Sequence, residues 1–412
     1  MQSILITGAA SGIGRAAVLR AAALGWRCIA VDRDATGLQQ LLQALPRGVQ
    51  GSHQALVLDL LDSAAVMQLA HQVPVLDALV NNAGMSSASS QSLLEMSSAD
   101  HKRLLGLNLH APAQLVQALQ NRMAANARVV NVASGAGLRA IPWRGLYSAS
   151  KAGLIAQTHA LARARPDWGV TVLSPGFVRT ALVEHLMESG RLCPEGALAK
   201  IPLGRMAEPD EMAEAICFLA RTDAQPLSGQ VLVVDGGSSL YGGSQALPRS
   251  TVPPVPSSIS VRWSLQGSSG VQAMQPLIAT NPAADVPAYD ACVDFSALDA
   301  PCEQVMEQVL QATQTFARTR SACASLTLVL PRPVDARNGV QVASHAAARM
   351  LMATLACEWG SKGLRINAIE LHKDTTLASL QPLLAYVGGA QAQFMTGQTL
   401  VWNLPGGGHA QR

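Results

Sequence analysis

A strand-like apolar run, Ser3–Thr7, passes directly into Thr-Gly-Ala-Ala-Ser-Gly-Ile-Gly at residues 7–14, and then into a helix-like stretch over residues 15–24. Glycines at a strand-to-helix turn let the backbone come close to a ligand. The helix start that follows offers free N–H groups and the positive end of the helix dipole, which suits a phosphate. The glycine spacing is G-x-x-x-G-x-G and not the G-x-G-x-x-G of the general dinucleotide fingerprint. A chain that begins this way is committed to alternating strands and helices around a parallel sheet.

The rest of the first 240 residues keeps that alternation. Residues 27–31 read as a second strand ending in Asp32, eighteen positions after Gly14. A carboxylate there accepts hydrogen bonds from ribose hydroxyls and repels a 2′-phosphate, so it favours NAD over NADP. The neighbouring Arg33 leaves NADP open. Residues 55–58 read as a third strand closed by Asp59 and Leu60, and residues 76–80 as a fourth closed by Asn-Asn-Ala-Gly at 81–84. A helix-like stretch around residues 101–109 contains Asn108. Residues 129–133 form a fifth expected strand ending at Ser134, and residues 170–173 a sixth followed by Ser-Pro-Gly-Phe-Val-Arg-Thr at 174–180. A polar stretch over 184–207 has the length and composition of a lid. A helix over 209–220 and a seventh strand over 229–234 complete this half. The motifs all fall at strand ends, where open parallel sheets bind ligands.

Tyr147 and Lys151 stand four residues apart. On a helix they share one face, with Cβ atoms about 5–6 Å apart. A lysine held there favours phenolate and lowers the tyrosine's pKa from about 10. Such a phenol can exchange a proton during carbonyl/alcohol interconversion. The alkoxide-like oxygen of that reaction needs a second hydrogen bond, which Ser134 can supply.

Bulk properties remove other classes. A net charge of +3 on 412 residues, without basic runs, gives no reason to expect nucleic acid or a polybasic membrane patch. The seven cysteines are dispersed and form no C-x-x-C pair, which argues against a disulfide framework and against a metal site. No apolar run approaches the roughly 18–20 residues of a spanning helix. The N-terminus lacks the charged region of a secretory signal, and the expected location is cytoplasmic.

In order and spacing, these motifs resemble the short-chain dehydrogenase/reductase family in its compact form, over residues 1–241. The resemblance implies an α/β Rossmann-like fold with a doubly wound parallel sheet. It implies that Gly8, Ser11, Gly12, Ile13 and Gly14 cradle the dinucleotide phosphates, that Asp32 holds the adenosine ribose, and that Asp59 and Leu60 bracket the adenine. Asn82, Ala83 and Gly84 would floor the cofactor site. Val178 and Thr180 would meet the nicotinamide carboxamide, after the turn at Pro175 and Gly176. Tyr147 would be the acid/base beside the cofactor, Ser134 the substrate-positioning hydroxyl, Lys151 both the pKa-lowering cation and a ribose ligand, and Asn108 the holder of a relay water. Arg139, Trp143 and Phe177 would border the substrate, along with Leu138 and Ile141. The implied activity is NAD-dependent interconversion of a small secondary alcohol and its ketone. Two other readings remain: a non-catalytic NAD sensor or scaffold, and an NADP-dependent ketoreductase.

Residues 242–258 are rich in Pro, Ser and Gly and read as a linker. Residues 259–412 then echo the first half. Residues 342–348 match 148–154, with Ser344 opposite Ser150, and 395–402 match 227–234. Strands are expected at 326–330, 364–369 and 397–402, and helices at 301–319 and 342–359. The echo lacks the chemistry: Gln341 stands at the tyrosine position, His345 at the lysine position, and Glu370-Leu371-His372 replaces Ser-Pro-Gly. This half reads as a second, truncated copy in tandem that binds no dinucleotide. Since the family assembles through the elements it retains, a homodimer imitating a tetramer is implied.

Overall fold

The computed structural model describes residues 1–46, 53–86, 97–139, 141, 146–190, 192–333, 337–372 and 374–403. Among the described residues the chain divides into two compact units, one built of Met1–Leu192 and Glu208–Val233, the other of Cys193–Ala207 and residues 234–403.

The first unit holds strands β1 (Ser3–Thr7), β2 (Arg27–Asp32), β3 (Gln54–Val57), β4 (Leu76–Asn81), β5 (Met123–Val132), β6 (Gly169–Pro175) and β7 (Val231–Val234). They form a seven-stranded sheet in the order β3-β2-β1-β4-β5-β6-β7. The register sets Thr7 beside Val31, Ile6 beside Val80 and Asn81 beside Asn131, so the carboxyl ends of β1, β2, β4 and β5 lie side by side. Strands buried on both faces read as continuous apolar runs, and Leu5, Ile29, Leu79, Val129 and Val170 are fully buried in one cluster. Each such side chain contributes about 1.5–3 kcal/mol of burial.

Helices cover this sheet in two sets. Gly12–Ala23 packs on Pro209–Leu219, while Ser63–Gln68 packs on Ala111–Leu119 and Ser98–Leu105 on Leu146–Ala164. Their starts are fixed locally. Asp34, Asp62 and Ser97 each accept a backbone N–H of the first turn that no helical carbonyl can serve. Between Ser98–Leu105 and Ala111–Leu119 the chain makes one wide π turn, Gly106–His110, with Asn108 buried inside it.

The second unit contains β8 (Val261–Gln266), β9 (Tyr289–Asp294), β10 (Ala324–Pro331), β11 (Leu364–Leu371) and β12 (Thr399–Trp402). They form a five-stranded sheet in the order β12-β11-β10-β9-β8, and all its pairs run parallel. Its helices include Val305–Thr319, Gly339–Trp359 and Gln381–Gly388. Strands β8 and β9 were not expected. Arg365 is buried in this unit, where its guanidinium donates to the Tyr289 hydroxyl and to the carbonyls of Val387, Gly388, Gly389, Ala392 and Met395.

Two sequence expectations take a different form. The polar stretch at 184–207 divides: Ala181–Glu188 is a helix of the first unit, while Ile201, Leu203, Met206 and Ala207 are buried in the second. There Leu203 N–H bonds to the Gly236 carbonyl at 3.1 Å, so this portion is core and not lid. The proline-rich stretch at 242–258 has no regular secondary structure, yet hydrogen bonds hold it at several points. Thr251 N–H donates to the Ser361 carbonyl, and the Gln393 carboxamide bonds both the N–H and the carbonyl of Val255, at 3.0 and 2.7 Å.

Among the described residues, no helix is long and apolar enough to cross a membrane. No cluster of His, Cys, Asp and Glu with metal-binding geometry occurs among them either.

Candidate active site

The carboxyl ends of the strands enclose a cavity of about 400 Å³. It is built first from the glycine turn. Gly8 has φ +68° and Gly12 φ +53°, in the left-handed region that favours glycine. At Gly14 the constraint is space: a Cβ there would stand 2.1 Å from the Gly8 carbonyl oxygen. The turn therefore folds back on itself and presents the start of helix Gly12–Ala23 to the cavity.

Thr7, which the sequence reading passed over, joins this turn to the Asn82–Gly84 loop. Its hydroxyl accepts the N–H groups of Asn82 and Ala83 at 3.0 and 3.1 Å. The Asn82 carboxamide returns a hydrogen bond to the Thr7 carbonyl at 2.9 Å. At the end of β2, the two oxygens of Asp32 accept the N–H groups of Ala10 and Asp34, each at 3.0 Å. The carboxylate is thereby aimed at a fixed point on the cavity wall.

The polar groups of the opposite end come from β5 and helix Leu146–Ala164. Ser134 follows β5, and its hydroxyl accepts the Ala136 N–H at 3.2 Å. Lys151 is buried, and its ammonium donates to the Val132 carbonyl at 2.9 Å. It lies 5.9 Å from the centre of the Tyr147 ring. Burial pushes its pKa down to about 8. Asn108 holds the Met85 backbone through both halves of its carboxamide, at 2.9 Å each, and donates to Ser150 Oγ at 3.1 Å. A methyl group on Gly84 would lie 3.3 Å from Asn108 Oδ1 and 3.4 Å from Lys151 Nζ, so both polar groups back onto that loop.

Of the expected site residues, Gly8, Ser11, Gly12, Ile13, Asp32, Asp59, Leu60, Asn82, Ala83, Gly84, Ser134, Tyr147, Lys151, Pro175, Gly176, Val178 and Thr180 line this one cavity. Gly14 and Asn108 stand behind the wall, buried. Arg139 and Phe177 do not line it, and Trp143 lies outside the described residues. The lining also includes Arg33, Met85, Arg103, Leu107, Leu182 and Val183. Arg103 and Leu107 are one helical turn apart and so share a face. That spacing, just upstream of Asn108, was the available signal.

A family model described as enoyl-(acyl carrier protein) reductase matches residues 8–239. An uncharacterized short-chain type dehydrogenase/reductase of Sinorhizobium fredii is 40% identical over 243 residues. The chain belongs to the short-chain dehydrogenase/reductase family. The Sinorhizobium match takes in 57% of this chain but 43% of that relative, so the chain spans less than half of its length. The 3-oxoacyl-(acyl carrier protein) reductase of Thermotoga maritima is 36% identical over 241 residues, covering 57% of this chain and 96% of that protein. Among solved structures, a variant of actinorhodin polyketide ketoreductase with NADPH is similar at a TM-score of 0.52 and 27% identity, over 58% of this chain and 98% of that one. All three similarities cover little more than half of this short-chain dehydrogenase/reductase.

The cavity fits the nucleotide cofactor of such proteins. The folded-back glycine turn leaves room for phosphates at a helix start, and Asp32 stands at the strand end where a ribose would lie.

Proposed function

We propose that this chain interconverts a secondary alcohol and its ketone with a nicotinamide dinucleotide, Tyr147 acting as the acid/base. The observation that carries the reading is the convergence of Ser134, Tyr147 and Lys151 on the cavity whose other end holds the glycine turn and Asp32. When bound, the nicotinamide exchanges a hydride with the substrate carbon. The remaining work belongs to the chain. In reduction the Tyr147 hydroxyl gives its proton to the carbonyl oxygen, and in oxidation it takes the alcohol's proton. The Ser134 hydroxyl donates to the same oxygen and fixes its position. The Lys151 ammonium, held on Val132, makes the phenol more acidic. Asn108 pins the Met85 backbone beside that ammonium and so keeps the polar floor in place.

The test is Tyr147→Phe, assayed on a panel of secondary alcohols with NAD and followed by absorbance of the reduced nicotinamide. Turnover should fall by roughly 10²–10⁴-fold, with NAD affinity kept within about threefold. Unchanged turnover would end the reading, and a chain that bound NAD without turning over any alcohol or ketone would be a sensor.

NAD is the assigned cofactor because Asp32 opposes a 2′-phosphate. NADP is a second reading with its own support. Arg33 and Arg103 both line the cavity, and neither guanidinium has a hydrogen bond or ion pair among the described residues.

The second unit we read as a truncated, inert copy of the first. The order β12-β11-β10-β9-β8 repeats the order β7-β6-β5-β4-β1 and leaves out β2 and β3. On this reading two chains assemble as a four-module dimer in the cytoplasm. Light scattering decides it, since a monomer or a tetramer of full chains is incompatible.

A further inference from the structure

Strand β8 holds beside β9 the place that β1 holds beside β4. Like β1, it ends in a glycine turn, Gln266-Gly267-Ser268-Ser269-Gly270. Gly267 has φ +83°, against +68° at Gly8. In the first unit the turn after β1 opens on the cavity. In the second unit the turn is filled. Asp299, on the loop that follows β9, places its carboxylate in it. Oδ2 accepts Ser268 N–H at 2.6 Å and the Ser268 hydroxyl at 3.1 Å. Oδ1 accepts Ser269 N–H at 3.1 Å and also the Ser269 hydroxyl.

All four donors are neutral, and two are consecutive backbone N–H groups. Consecutive N–H groups in such a turn form a concave anion nest. Burial alone would raise the Asp299 pKa, but the bonds from Ser269 and Ser268 outweigh it and hold the carboxyl below the usual range. Gly267 brings the two loops together: a Cβ there would lie 2.7 Å from Ser296 N.

We propose that this turn is an oxyanion nest whose ligand is the chain's own Asp299, an internal stand-in for a phosphate. The carboxylate takes the donors and adds a negative charge, so a dinucleotide phosphate is turned away from the second unit. The next helix, Gln275–Ile278, spans four residues and adds no long dipole of the kind that Gly12–Ala23 supplies in the first unit. Removing the carboxylate leaves a nest for a phosphate group. The inference rests on the turn's own hydrogen bonds and does not depend on Tyr147 being catalytic.

The experiment compares thermal unfolding of the full chain in sodium chloride and in inorganic phosphate at equal ionic strength. Any phosphate effect on the first unit, or on the solvent, is common to wild type and variant. Asp299→Ala should melt about 2–4 °C lower than wild type in chloride and regain at least half of that loss in phosphate. Adding Ser268→Ala and Ser269→Ala should abolish the regain. Asp299→Asn, which keeps the shape and one acceptor oxygen without the charge, should fall between and decides the matter if Asp299→Ala does not fold. The proposal is overturned if phosphate raises wild type and the Asp299 variants equally, or if the regain survives loss of both hydroxyls.

Discussion

The Lys151 ammonium donates to the Val132 carbonyl at 2.9 Å, two residues before Ser134. One bond thus pins helix Leu146–Ala164 to the end of β5, and it brings Tyr147 and Ser134 to the same cavity from two different elements.

That bond holds an ammonium in a dry place, with a stability consequence. Burial pushes the Lys151 pKa in the folded chain down to about 8, from the ordinary lysine value of 10.5. Between those values the unfolded chain binds more protons, so this group makes stability rise with pH across the window. Below pH 8 the buried charge costs about 3 kcal/mol, offset in part by the hydrogen bond, worth about 1–2 kcal/mol. Lys151→Met should therefore stabilise the first unit by about 1–2 kcal/mol at pH 7, with the gain shrinking towards pH 10. Turnover should drop by about 10²-fold or more. Denaturation at the two pH values, beside an activity assay, checks both halves. A variant less stable than wild type at pH 7 contradicts the account.

Gly14 tests the cofactor end. Its φ is one that alanine also adopts, so any cost of Gly14→Ala is steric: the new methyl meets the Gly8 carbonyl at 2.1 Å and Asn82 Nδ2 at 2.6 Å. The turn must shift, at about 1–3 kcal/mol, and dinucleotide affinity should fall more than tenfold. Gly25→Ala is the control, with φ +85° and nothing within 4 Å. It should cost about 1 kcal/mol through backbone strain and leave affinity unchanged, as titration calorimetry would show.

The glycine turn and the strand ends were legible because they encode backbone demands: Gly8 and Gly12 need a positive φ, and Gly14 needs space. Strands β8 and β9 were not, because their polar residues hide them. Val-Arg-Trp-Ser-Leu-Gln and Tyr-Asp-Ala-Cys-Val-Asp carry charges that are paired in the fold, Arg262 with Asp290, which also meets Arg320 after the helix Val305–Thr319. Pattern alone discounts such strands. Thr7 and Arg103 were missed for other reasons. The role of Thr7 depends on which loops meet, which a single chain read in order does not carry, whereas Arg103 was signalled only by its one-turn spacing from Leu107.

Arg33 and Arg103 give a prediction on cofactor choice. Each is exposed at the cavity and free of ion pairs among the described residues, while Asp32 is tied to two backbone N–H groups. A 2′-phosphate that Asp32 repels is attracted by these two guanidinium groups. Alanine at either position should weaken NADP by about tenfold, or 1.4 kcal/mol, and NAD by less than twofold. The NADP effect should shrink as salt is raised. Equal losses for both cofactors would assign the arginines to the adenine or to packing instead.

In the second unit, Arg349 holds Glu370 through Nε at 2.5 Å and Nη2 at 2.6 Å, and the glutamate side chain is 1% exposed. His345 is buried nearby, with no hydrogen bond to either ring nitrogen among the described residues. Burial lowers its pKa, Glu370 raises it and Arg349 lowers it. Arg349→Met leaves a buried carboxylate without its partner, which costs about 3–5 kcal/mol. It also removes the smaller of the two influences that lower the His345 pKa, the larger being burial, while Glu370 remains to raise it. A histidine whose folded pKa lies below its unfolded value costs stability as pH falls, and losing Arg349 lessens that cost. The variant should therefore lose less stability at pH 5.5 than at pH 7.5, and Arg349→Met with Glu370→Gln should recover most of the loss at both. Urea denaturation at the two pH values decides it: a pH-independent loss would mean that His345 does not answer to this pair.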